Sequence, residues 1–290
     1  MPDIAIVPAN FIALLLDTFL FGIVLLLFIS DIYFLATQRT LAGKIRPRKH
    51  HFTSLVFICV AFLFLIITTH WALSVYQGYF ALIRLGSGAS AQAFYGDVSQ
   101  PSQIAKTVLL LFSVLVGDSL AVDFSFVGRL AQQTRFGISD LHSYRDYSLI
   151  SANMLTTVVA GVGIILEFVN AESLHVSGTA QIRGWTAIGF GASLLNNIYC
   201  TGLIAYRIST AKASPESRLM AFCDILVESA ALQSFWFIFA SATTLASSNS
   251  EFFATEAFPA IIGITNLLIH ARVGLGCSSD TAGRPKVVTV

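Results

Sequence analysis

The side chains of this chain that could do chemistry are mostly acids and amides set inside apolar runs. Such groups suit proton exchange, cation coordination or hydrogen bonding where water is scarce. Asp118, Asn196, Asn197, Asp224, Glu228, Asn266 and His270 lie in such runs. Asp31, Asp123, Arg207 and Arg272 lie nearer the ends of the runs, and Asp17 and Glu167 complete the acids within them. A charged side chain in hydrocarbon costs about 2.5 to 3.5 kcal/mol even on a lenient insertion scale, so ionisable residues at that depth are candidates for function. Asp224 and Glu228 are four residues apart, as are Asn266 and His270. That spacing puts each pair on one face of a helix.

Sharper chemistries find no support in the pattern. A retinal Schiff base needs a lysine in mid-bundle, and the last run has none. Paired haem ligation would fall to His70 and His270, which are expected at different depths. The neighbours His50 and His51 lie in a basic segment without the clustered ligands that zinc requires. Val116-Gly117-Asp118 has the Gly-Asp of intramembrane aspartyl proteases, but Leu115 stands where that motif has glycine, and its partner signature is missing. The expectation is a protein without enzymatic activity, metal or cofactor.

The elements that must position these residues are seven apolar stretches: 11–36, 52–76, 107–127, 149–169, 184–206, 220–244 and 257–271. Most are long enough to cross about 30 Å of hydrocarbon as helices. The gaps between them sort the basic residues. Fourteen of the 17 Lys and Arg fall in alternate gaps and the tail, including Arg39, Lys44, Arg46, Arg48 and Lys49 after the first stretch. Only Arg84, Lys106 and Arg183 fall in the other gaps. The positive-inside rule then predicts an outside N-terminus and a cytoplasmic C-terminus. With those directions, Asp118, Asn196, Asn197, Glu228, Asn266 and His270 gather near the midplane or in the inner half. Asp31, Asp123 and Asp224 lie closer to the cytoplasm. The expected result is a polar layer with no buried Lys or Arg to balance its acids, served only by Arg207 and Arg272 at the inner helix ends.

Composition agrees. Hydrophobic residues make up 55%, charged residues 11%, and mean hydropathy is +0.75; an average soluble domain carries roughly 25% charged residues. The fold class is therefore all-α, an integral bundle of seven transmembrane helices over residues 1–276 with a short cytoplasmic tail at 277–290. A net charge of +1 without a basic stripe argues against nucleic acid. The lipid bilayer is the expected partner, in the plasma membrane or another membrane of the secretory pathway. Residues 1–10 hold no Lys or Arg and the next apolar run is too long for a signal-peptide core, so the first helix is expected to remain and act as the targeting signal. Cys59, Cys200 and Cys223 lie inside the stretches, where they pack as small hydrophobes. Cys277, just beyond the last stretch, is a candidate for reversible palmitoylation.

Four segments carry a family resemblance: Gly117-Asp118; residues 197–208, reading Asn-Ile-Tyr-Cys-Thr-Gly-Leu-Ile-Ala-Tyr-Arg-Ile; residues 227–231, reading Val-Glu-Ser-Ala-Ala; and residues 263–276, from Gly-Ile-Thr-Asn to Gly-Leu-Gly. The chain resembles a large group of uncharacterised seven-helix membrane proteins of mushroom-forming fungi. The shared positions include Asp118, Asn197, Tyr206, Arg207, Glu228 and Arg272. The resemblance implies an architecture and carries no activity with it. One region departs: where such proteins continue from Gly-Asp into a Tyr-Arg pair, this chain reads Ala121 to Arg129 and then a polar linker from Leu130 to Ser148. Residues 121–148 are thus a true third loop or the product of an altered exon boundary.

The functional expectation is a receptor-like or sensory protein, its ligand unidentified, whose polar layer switches between two packings and acts on a cytoplasmic signalling partner. The alternatives are an ion- or proton-coupled transporter or channel using the same acids, and a structural membrane protein without ligand.

Overall fold

The computed structural model describes residues 5–41, 50–86, 88–97, 99–136, 141–170, 178–210, 217–246 and 248–282, with side chains over 5–34, 57–120, 148–169, 181–203 and 227–269, save 87, 98 and 247, and Tyr206 besides. The chain forms an all-α bundle. Its helices are α1 (Ile6–Leu41), α2 (His50–Tyr79), α3 (Ala89–Gly96), α4 (Pro101–Phe136), α5 (Leu141–Asn170), α6 (Gly178–Thr210), α7 (Ser217–Leu245) and α8 (Glu251–Ala282). Five segments among the described residues are long and apolar enough to cross a membrane: Ile6–Phe34, Phe57–Arg84, Pro101–Leu120, Ser148–Val169 and Glu251–Ile269. The described parts of α6 and α7 fall below that mark. Amides and hydroxyls such as Asn196, Asn197, Gln233 and Ser234 dilute their apolar content. The outer surface is nonetheless apolar, with Phe19, Leu26, Leu155, Leu195 and Phe235 among its exposed side chains. This is an integral, multi-pass membrane protein, since a helical backbone satisfies its own hydrogen bonds and can present such side chains to lipid.

One helix sits at the centre. Every residue from Glu256 to Leu267 on α8 is buried, enclosed by α1, α2, α4 and α7. A helix apolar on all sides belongs inside a bundle. Small residues on α8 let its neighbours approach. A Cβ added at Gly263 would run into Ile67 of α2, and one added at Gly117 on α4 would meet Ile262 Cγ2 of α8 at 2.6 Å. Aromatic stacks tie other pairs, including Phe28 on Phe64 between α1 and α2 at 4.0 Å and Phe190 on Phe258 between α6 and α8 at 4.9 Å.

The helices outrun the stretches marked by hydropathy. The linker expected at 130–148 is largely helical, because α4 continues to Phe136 and α5 begins at Leu141. The gap expected between residues 76 and 107 also holds helical elements. A π-helical turn over Phe80–Arg84 follows α2, and α3 buries Ala91. Helix formation is cooperative, so a backbone already nucleated by an apolar run continues through polar residues of adequate propensity. Proline 101 opens α4 at the first helical position, where its missing N–H is no loss. The result brings Lys106 and Glu256 inside helices, although both were expected in gaps.

Candidate functional site

Four ionisable side chains converge in the interior at the N-terminal end of α8. On α2, His70, Ser74 and Gln77 recur at helical spacing and share one face. Asp17 of α1, Lys106 of α4 and Glu256 of α8 face that stripe. Asp17, His70, Lys106 and Glu256 are 1%, 3%, 4% and 7% exposed, too little for water to solvate them. The expectation that no basic residue is buried is therefore corrected: Lys106 is the missing partner. Hydropathy cannot distinguish a lysine at a membrane interface from one folded inward onto a glutamate.

The hydrogen bonds form a chain. Lys106 Nζ donates to Glu256 Oε1 at 2.5 Å and to Gln77 Oε1 at 3.0 Å. Ser74 Oγ donates to the other glutamate oxygen at 2.9 Å. Gln77 Nε2 in turn donates to Ser102 Oγ at 3.0 Å and Gln103 Oε1 at 3.3 Å. His70 Nδ1 lies 4.0 Å from Asp17 Oδ2, and Asp17 Oδ2 has no hydrogen-bond partner among the described residues. With both acids ionised, Lys106 as ammonium and His70 neutral, the set carries one formal negative charge. One proton or one monovalent cation cancels it.

Asp17, His70 and Glu256 also present three metal-ligand atoms within 4.8 Å of one another, which His50 and His51 did not suggest from the sequence. Metal–oxygen and metal–nitrogen bonds of about 2.0 to 2.2 Å would require these atoms to draw closer. Lys106 and Ser74 already donate to the two Glu256 oxygens, so a cation bound there would share that carboxylate with the ammonium. Nearby on α3, outside the spanning segments, burial pushes the Tyr95 phenol up from 10.0 to about 12, and the Glu256 charge adds to the effect.

A second polar group lies farther along the same helices. From Lys106 to Asp118 on α4 is twelve residues, about 18 Å, and from Glu256 to Asn266 on α8 is ten, about 15 Å. Asp118, Asn196, Asn197 and Asn266 are all buried there. Ser193 and Asn196 of α6 approach the Asp118 carboxyl. Asn197 Nδ2 donates across to α7, to Ala230 O at 3.1 Å and Ser234 Oγ at 3.0 Å, and Asn266 Nδ2 donates to Ile262 O at 2.9 Å. Asp118 Oδ2 and Asn196 Nδ2 keep no partner among the described residues. Glu228 is exposed on α7. Asp31 is buried on α1 with one oxygen unpartnered among the described residues. The side chains of Asp123, Arg207, Asp224, His270, Arg272 and Cys277 lie outside the described residues.

A cavity of about 220 Å³ opens among α4, α5, α6, α7 and α8. Gln103, the last residue of the hydrogen-bond chain, lines one part of it, and Thr157, 3.3 Å from Ser193 Oγ, lines another. The sequence carried a partial signal for this site: Ser74 and Gln77 follow His70 at helical intervals. Nothing in the sequence joined that stripe to Lys106 or Glu256.

These features define a class, a multi-span helical membrane bundle with an extensive buried polar network. Comparison with protein-family models, curated proteins and solved structures found no match.

Proposed function

We propose that this protein is a seven-span transporter or channel coupled to protons or monovalent cations, with the N-terminus outside and the C-terminus in the cytoplasm. The observation that carries the reading is the buried set Asp17, His70, Lys106 and Glu256. Ionisable groups inside a membrane bundle mark ion or proton pathways in general, because burying them is costly without a role. Under this orientation the set lies in the outer half and the Asp118 layer in the inner half. A proton or cation taken up near Asp17 changes the charge that Lys106 and Glu256 share, and Asp118 offers a second acceptor deeper in the bundle. Proline 259 supports a hinge in α8 three residues beyond Glu256, since it cannot donate the helical hydrogen bond to the Thr255 carbonyl. This reading displaces the receptor-like one, which placed the switch in a layer of acids and amides that included Glu228.

Purified protein in sealed vesicles loaded with a pH-sensitive dye tests it. A proton or cation gradient should drive flux in the native chain, and Glu256→Gln should abolish its pH dependence while the protein still inserts. Flux no greater than in empty vesicles, under proton, sodium and potassium gradients alike, overturns the proposal. In that case, loss of a cellular signalling output on Asp118→Asn would return the receptor reading.

A further inference from the structure

We propose that the cavity among α4 to α8 binds a small, mainly apolar, uncharged solute bearing a hydrogen-bond donor, of the aryl alcohol or medium-chain alcohol class. The inference rests on the transport reading only for the role of the solute; its binding stands on the cavity itself.

Size sets the first limit. An engineered apolar cavity of about 150 Å³ accepts benzene, so about 220 Å³ suits a single substituted ring or a chain of similar bulk. Leu110, Leu111, Val114, Ile164 and Phe190 supply an apolar wall.

The hydroxyls set the second limit. Four of the five threonines in the lining commit their hydroxyl hydrogens elsewhere. Thr107 donates to Gln103 O at 3.0 Å, Thr157 to Asn153 O at 3.1 Å, Thr186 to Ile182 O at 2.8 Å and Thr255 to Glu251 O at 2.8 Å. Each can offer the cavity only oxygen lone pairs or a methyl group. Thr255 is also the residue whose carbonyl loses its helical donor to Pro259. The lining also holds the Gln103 amide, the Thr244 hydroxyl and the Arg183 guanidinium, which carry donor hydrogens, so a hydroxyl, which both donates and accepts, suits this wall on an otherwise apolar solute. Charge sets the third limit: Arg183 and Glu251, both in the lining, carry opposite formal charges, so the wall has no net charge to select an ion. The position adds a consequence. A solute here would touch Gln103, linked through Gln77 to Lys106, and Thr157, linked through Ser193 toward Asp118. Its occupancy would be sensed by both polar groups.

Full-length protein in lipid nanodiscs, titrated with benzyl alcohol, toluene and benzoate and followed by ligand-observed NMR, tests the proposal. Benzyl alcohol should bind saturably and about two- to tenfold more tightly than toluene, the worth of one hydrogen bond, and benzoate should not bind. Thr186→Phe, which fills the cavity, should remove saturable binding of both neutral probes. Thr255→Val, which removes an acceptor at constant shape, should weaken benzyl alcohol and leave toluene unchanged. The second variant decides the matter if the first does not fold. Equal affinity for benzyl alcohol and toluene, tighter binding of benzoate, or only unsaturable uptake into lipid overturns the assignment. Flux without binding would overturn this inference and leave the transport reading, and binding without flux would do the reverse.

Discussion

The charged group around Glu256 and the amide group around Asp118 are strung on the same two helices, α4 and α8, yet they are held by different physics. In the first, Lys106 and Glu256 compensate each other at 2.5 Å, with Ser74 and Gln77 taking up remaining hydrogen-bonding capacity. In the second, Asn197 binds backbone and hydroxyl groups of α7 while Asn266 binds a carbonyl of its own helix, and close approach of α4 to α8 sets Asn266 against Gly117. Charged groups buried together depend on each other's presence, because removing one strands the other in a medium that solvates it poorly. Amide contacts in a membrane are individually weak, since the separated helices find other partners. The charged group is thus all-or-none, whereas the amide group is a sum of small contributions.

The largest expected effect breaks the charged group. Lys106→Ala leaves Glu256 buried without its cation and should cost about 3 to 5 kcal/mol, read from thermal or denaturant unfolding in detergent. Lys106→Met with Glu256→Leu should recover most of that loss. Asn266→Ala should cost only about 0.6 to 1.7 kcal/mol. Equal losses from Lys106→Ala and Asn266→Ala would erase the distinction between the regions.

A middle-sized effect tests what the amide group depends on. The Cβ of Gly117→Ala would meet Ile262 Cγ2 at 2.6 Å and Asn266 Nδ2 at 3.3 Å, forcing α4 from α8 at a cost of about 1 to 3 kcal/mol. The same measurement on Gly22→Ala, where nothing lies within 4 Å of the added carbon, should show no loss. A Gly117→Ala protein as stable as the native one would mean that close packing does not hold this group together.

The smallest effect concerns the reach of the charged group. Burial first, and the Glu256 charge second, push the Tyr95 phenol from 10.0 to about 12. The folded chain therefore keeps a proton that the unfolded chain releases above pH 10, and the stability tied to this group is present below pH 10 and lost as pH rises toward 12. Spectrophotometric titration of the native chain against Tyr95→Phe should reveal one tyrosine titrating late, and Glu256→Gln should move it earlier. A Tyr95 signal unchanged by Glu256→Gln would confine the field of the charged group to the bundle interior.

Much of the architecture was legible before any coordinates, because a backbone in hydrocarbon must be helical and an apolar run of sufficient length marks where. Helix ends were less legible. Lys106 lies one residue before the stretch expected from 107, and Glu256 one residue before the stretch expected from 257, since hydropathy stops at a charge whether or not that charge folds inward. The same criterion read Asp118, Asn196, Asn197 and Asn266 as polar residues at depth, and they are buried. It grouped Glu228 with them, although that residue is exposed on α7.

The sequence by itself determined that the chain is a helical membrane bundle whose chemistry must come from acids and amides inside it, because composition and the length of apolar runs decide what can sit in lipid. Only the tertiary structure decided which of those groups meet. Asp17, His70, Lys106 and Glu256 come from four helices separated by up to 239 positions, and no periodicity within one helix can specify a contact with another. Helix rotation, set by the packing of small residues on α8 against α1, α2 and α4, turns those four side chains toward one point.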